Sequence, residues 1–331
     1  MQQRNEASSE ITPATIDASA PGITIATDVS SELEPTMVSD AFSRLVQRVH
    51  TDQGLLLRPL RLVLLTGQLN DAVIRWESAL GLPEAGVSKQ PEGIPGAKTM
   101  SWGSDEESAR SIIILADAIA AALARDHPLG VPAVAHELGH VHDEYMRGLR
   151  LGFPKSHIPP GVDDWPRVRS LLATIAWSEY AAESVASPYM TADSLRESML
   201  NDTVHLAGVH RRLRQFIWSY KRREHDLISL WSGALTSTSN LFANLGRAIA
   251  RLPFSKHAPE AIAALLEPSG EAAGWKPAIQ CLLHEFQTLG SMPYAEWPVG
   301  PFETLEEGIE LGFQAVGLFP SYDGKLHVNV P

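Results

Sequence analysis

The chain has 331 residues, 44% of them hydrophobic and 20% charged, the profile of a folded globular protein rather than a disordered or fibrous one. Its 27 basic and 39 acidic residues leave a net charge of −12, which argues against broad electrostatic attraction to nucleic acid or to an anionic membrane. With Cys281 as its one cysteine it can form no intrachain disulfide and no thiolate cluster, so any metal must be held by histidines and carboxylates.

Residues 1–40 are rich in Ser, Thr, Ala and Pro and carry seven acids against the single Arg4. They lack apolar periodicity, which predicts a disordered acidic tail; a docking segment or an unstructured export signal is the alternative use of it. The first 25 residues hold no apolar core of a secretory signal. The most apolar stretch, 111–124, is too short to span a membrane and contains Asp117, so the expected location is the cytoplasm, with export as an effector left open.

From residue 38 the spacing of Val38, Phe42, Leu45, Val46 and Val49 predicts a helix. Leu60 to Leu65 reads as a buried strand ended by Thr66-Gly67, and Asn70 to Leu80 as a helix closed by Gly81 and Pro83. Residues 84–104 are rich in Gly and Pro, a loop or lid with a short strand near Ala97 to Trp102. Arg110 to Leu115 is a second strong strand, Pro132 to Leu149 a helix, and Trp165 to Ala186 another, stopped by Pro188. Beyond 190 helices are expected at 191–206, 210–225, 227–245, 259–266 and 277–289, then an irregular segment, 291–331, with a final strand at 325–330. The expected organisation is α+β: a mixed first half, 41–190, and a helical region, 191–290.

Five of the 12 histidines fall between residues 127 and 157, and two of them form His136-Glu137-Leu138-Gly139-His140. On a helix, residues four apart share a face, so His136 and His140 can aim ring nitrogens at one cation while Glu137 reaches a water beside it. Val134, Leu138, Val141 and Tyr145 supply the apolar stripe of such a helix, and Gly139 inside it costs on the order of 1 kcal/mol relative to Ala, which calls for close packing. With no thiolates available, zinc is the expected cofactor and a carboxylate the expected third ligand.

That carboxylate is sought in Trp177-Ser-Glu-Tyr-Ala-Ala-Glu183, where Glu179 and Glu183 share a stripe with Leu172, Ala176 and Ala186. Carboxylates on an apolar stripe need a partner or a metal, because desolvating an unpaired charge is expensive. Glu179 is taken as the ligand and Glu183 as the group that orients a zinc-bound histidine, with the exchanged roles as the alternative. An H-E-L-G-H sequence followed by E-x-x-x-E on a later helix resembles the gluzincin metallopeptidases. More narrowly, Glu179-Tyr-Ala-Ala-Glu-Ser-Val-Ala186 before Pro188 and Met190 is similar to the ImmA/IrrE family of intracellular peptidases. The resemblance implies a zincin-like catalytic domain at 41–190, a short sheet with an active-site helix and a glutamate-bearing helix, acting on a protein or peptide substrate.

Asp143 and Glu144 lie one turn beyond His140, where either can accept from the other ring nitrogen of a zinc-bound histidine or stand solvated at the helix end; Asp143 is the candidate for the first role. Tyr180 and His205, with Tyr145, are candidates for stabilising an oxyanion. The run His210 to Arg223 holds six basic residues, but Leu213, Phe216, Ile217 and Tyr220 form one face, so it reads as the wet side of an amphipathic helix and no nucleic-acid partner is expected. The expected activity is peptide hydrolysis by a zinc-activated water with Glu137 as general base. Two rivals are a closed zinc site, with His142 or Asp143 as fourth ligand, in a regulatory or partner-binding module, and a delivered metalloprotease effector.

Overall fold

The computed structural model describes residues 14–15, 22–82, 96–153, 161, 163–298 and 300–331. The chain divides into two compact units, Met1–Ile158 and Pro159–Pro331. The architecture is α+β, and among the described residues no helix is long and apolar enough to cross a membrane. The division falls inside the stretch 41–190 taken above as one domain, so the H-E-x-x-H helix and the glutamate-bearing helix belong to different units.

In the first unit, β1 (Ala14–Thr15), β2 (Thr24–Thr27), β3 (Leu60–Thr66), β4 (Ala97–Trp102) and β5 (Arg110–Ala116) form one sheet in the order β1-β2-β3-β5-β4. Strands β2, β3 and β5 are parallel, while β1 and β4 run antiparallel on β2 and β5. The interior strand β5, between β3 and β4, buries Ile112, Ile113, Ile114 and Leu115 completely, as a strand covered on both faces must. Each such side chain contributes about 1.5–3 kcal/mol over an exposed one. Helix α2 (Leu69–Ala79) covers one face through Leu69, Ala72 and Val73, packed with Leu64, Met100, Ile112 and Ile114. Helices α1 (Pro35–Gln53), α3 (Asp117–Ala124) and α4 (Gly130–Leu151) pack together, and α4 also lies against β4.

Order begins earlier than the composition of residues 1–40 predicts. Ile25 and Ala26 are fully buried in β2, paired in parallel register with β3, and Pro35 opens α1. Four residues of a pattern as short as Thr-Ile-Ala-Thr give no periodicity to detect; their strand exists because β3 offers an edge. Residues 83–95, most of the segment considered as a lid, and His157 lie outside the described residues.

The second unit is helical: α5 (Trp165–Ala186), α6 (Ala192–Lys221), α7 (Leu227–Arg251), α8 (Pro259–Leu266), α9 (Lys276–Gly290) and α10 (Glu303–Ala315), closed by the hairpin β6 (Phe319–Tyr322) and β7 (Leu326–Asn329). The two helices expected at 191–206 and 210–225 are one, because Leu206, Val209 and Leu213 carry the buried stripe across the supposed break. Helix α10 was not expected, since Gly308 and Gly312 depress its propensity. Both glycines are required by packing: a Cβ at 308 would lie 2.8 Å from Leu282, and one at 312 would lie 2.7 Å from Trp275. The core is aromatic, with Trp165 edge-on to Phe313 at 5.1 Å, Trp177 edge-on to Trp297 at 4.8 Å, and Tyr180 stacked on Phe286 at 4.7 Å.

Candidate metal centre

Helix α4 begins where it touches α3: a Cβ on Gly130 would sit 2.2 Å from the backbone nitrogen of Leu123. Val134, Leu138, Val141 and Tyr145 are buried as the apolar stripe predicts, and Gly139 is buried among them. The same turn carries His136 and His140, half-buried, with their Nε2 atoms 3.1 Å apart and their rings at 85°. Two nitrogens bound to one tetrahedral cation at about 2.0–2.1 Å would be separated by about 3.3 Å, so the spacing of the pair suits a shared cation.

Glu137 is 8% exposed, and its Oε2 accepts a 2.7 Å hydrogen bond from the Thr99 hydroxyl on β4. The same hydroxyl lies 3.1 Å from the Glu137 carbonyl oxygen, so the strand fixes both ends of this residue. Thr99 carried no signal in the sequence, since a threonine in a strand is ordinary.

The neighbours of the motif are engaged within the same unit. Nδ1 of His142 accepts the Leu56 backbone N–H at 2.9 Å, and burial pulls its pKa down, which keeps the ring neutral. Asp143, weighed above as a solvated helix-end residue, is fully buried and takes Nε of Arg147 at 2.8 Å. The Tyr145 hydroxyl donates to Glu106 at 3.3 Å, and Nδ1 of His127 accepts the Leu129 N–H at 3.3 Å.

In the second unit, α5 starts at Asp164, whose side chain accepts the Arg167 N–H, with Pro166 in the first turn. Glu179 and Glu183 lie on one face of it, Glu183 buried and Glu179 half-buried. Both carboxylates meet arginines of α7: Arg247 Nε to Glu179 Oε2 at 2.7 Å, and Arg251 Nε to Glu183 Oε1 at 2.6 Å. Arg251 also bonds Asp202 at 2.7 Å. Burial opposes the charge on each guanidinium, but the surrounding carboxylates outweigh it and hold both above their usual range. Asp202 is pushed up to about 6 by burial, against the pull of Arg251 and Arg247. The neighbouring Glu183 carboxylate pushes Asp202 in the same direction as burial.

Tyr180 is spent on packing: it stacks on Phe286, a Cβ on Gly290 would lie 2.8 Å from its hydroxyl, and burial raises its pKa. His205 is buried on α6, in the neighbourhood of Asp202. The α7 arginines were missed in the sequence, although two arginines four apart in the run 241–251, apolar but for Asn244, were the available signal.

Compared with protein-family models, with curated proteins and with solved structures, the chain matches none.

Proposed function

We propose that the protein is a zinc-dependent peptidase of gluzincin type, with a zincin-like catalytic arrangement, working in the cytoplasm on a protein or peptide substrate. The observation that carries this reading is the facing pair of imidazole nitrogens on α4, 3.1 Å apart, with the carboxylate of Glu137 fixed between them in sequence. In this reading His136 and His140 are two of the donors and Glu179, the half-buried carboxylate of α5, is assigned as the third. Two imidazoles and a carboxylate suit zinc with a position left open for chemistry. The Arg247 bond does not exhaust Glu179 as a donor, because a carboxylate has about four lone-pair sites.

When bound, zinc supplies a Lewis acid and lowers the pKa of water towards about 7. Thr99 holds Oε2 of Glu137, so Oε1 takes the proton from the attacking water. The same oxygen then delivers that proton to the departing amine nitrogen as the carbon–nitrogen bond breaks. Burial of Glu137 beside an apolar stripe keeps competing water away from the transfer.

The test is zinc content together with cleavage of a peptide library read by mass spectrometry. The wild type is expected to hold one zinc per chain and to cleave, and Glu137→Gln to keep the zinc and lose cleavage by about 10²–10⁴-fold. A wild type without zinc, or a Glu137→Gln variant that cleaves normally, would overturn the reading.

A further inference from the structure

The second unit contains a two-rung ladder that ordinary packing does not require. Glu179 and Glu183 on α5 and Arg247 and Arg251 on α7 are each four residues apart, and each rung is an Nε–carboxylate bond of 2.7 or 2.6 Å. The helices can approach this closely because of Gly246, where a Cβ would lie 2.2 Å from the Ala176 carbonyl oxygen and 3.2 Å from the Tyr180 nitrogen. Gly246 is therefore the contact point of the crossing, and Arg247 stands beside it, one residue on.

We propose that Arg247 is a positioning residue for Glu179: it holds the carboxylate through Oε2 in the one orientation that lets this side chain serve as the third zinc donor. This rests on the zinc reading above and adds a second helix to the machinery. Buried ion pairs give little net stability, because desolvation cancels most of the attraction. What a planar guanidinium adds is direction, which an ammonium does not. The Arg247 rung is also the more open one, its side chain 25% exposed against 10% for Arg251. Arg251 locks Glu183 and Asp202 into the interior, whereas Arg247 grips a residue that reaches towards solvent. Two effects oppose each other at Arg247. Its charge repels a cation, and its hydrogen bond fixes the ligand; loss of a partner that orients a metal ligand typically weakens metal binding 10–100-fold, so orientation is the larger.

The test is a cycle of zinc affinities, measured on the full chain by competition with a chromogenic chelator, for wild type, Arg247→Gln, Glu179→Gln and the double variant. Arg247→Gln is expected to weaken zinc binding about tenfold in the wild-type background and to have no effect once Glu179 is Gln. Arg247→Lys, which keeps the charge, should rescue the fold fully and the affinity only in part. It carries the test if Arg247→Gln does not fold by circular dichroism. Equal weakening in both backgrounds would mean a merely structural role and overturn the proposal, as would unchanged or tighter binding in Arg247→Gln. A wild type that binds zinc alongside either of those results sinks this inference alone; a wild type that binds none sinks the zinc reading with it.

Discussion

The two units fix their chemistry-bearing side chains by opposite means. In the first, Glu137 and His142 of α4 are held by neutral donors, a threonine hydroxyl from β4 and the backbone N–H of Leu56, and only Asp143 among the candidates on this helix is paired by charge, with Arg147. In the second, Glu179 and Glu183 are held by charge, each against an arginine of α7. A sheet presents hydroxyls and backbone groups at fixed intervals, so it can position a side chain such as Glu137 without a counter-charge beside it. A purely helical unit satisfies its own backbone within each helix. It must bring a side chain from a second helix, and for a carboxylate in the interior that partner has to be cationic.

This contrast can be broken at several points. His136→Ala should empty the centre: metal content is expected to fall from one zinc per chain to near zero, and a variant that retains zinc would remove α4 from the site. Gly246→Ala should be the costliest change in the helical unit. Its Cβ would lie 2.2 Å from a backbone oxygen that cannot move away alone. A loss of about 1–3 kcal/mol in urea unfolding is expected, as for other overpacked sites, and an unchanged midpoint would show that the crossing is looser than described. Thr99→Val keeps the shape of the strand residue and removes the hydroxyl on Glu137; turnover should fall about tenfold, the equivalent of about 1.4 kcal/mol, with zinc content unchanged. The smallest effect concerns pH. Asp202 has a folded pKa raised to about 6 from 3.8, so the stability it contributes is full below its unfolded value and is lost as pH rises through 6. Relative to Asp202→Asn, the wild type should lose about 1 kcal/mol between pH 5 and 7, and a constant difference would place the titration elsewhere.

What could be seen in the sequence was what is local. The H-E-x-x-H turn lies on one helix, and its stripe of Val134, Leu138, Val141 and Tyr145 is buried as expected. Helices α5 and α9 and strands β3, β4 and β5 likewise follow their periodicity. What stayed hidden depends on partners distant in the chain. Thr99 meets Glu137 across 38 residues, and each arginine of the ladder meets its glutamate across 68. Carboxylates on an apolar stripe need a partner or a metal, but their local pattern does not say which distant residue the partner is. Arg247 and Arg251 are that partner for Glu179 and Glu183. Helix α10 was hidden for another reason: its glycines look like breakers until Leu282 and Trp275 are seen filling the space above them.

The aromatic core of the second unit has a practical consequence. Of the eight tryptophans, Trp165, Trp177, Trp218, Trp231, Trp275 and Trp297 lie in that unit, while the first has only Trp76 and Trp102. Trp231, Trp275 and Trp297 are almost wholly removed from solvent. Intrinsic fluorescence will therefore report chiefly on the melting of the arginine-bearing helices, whereas far-ultraviolet dichroism averages over both units. If the histidine-bearing unit opens first, the two optical signals will separate, and a single melting temperature will describe neither.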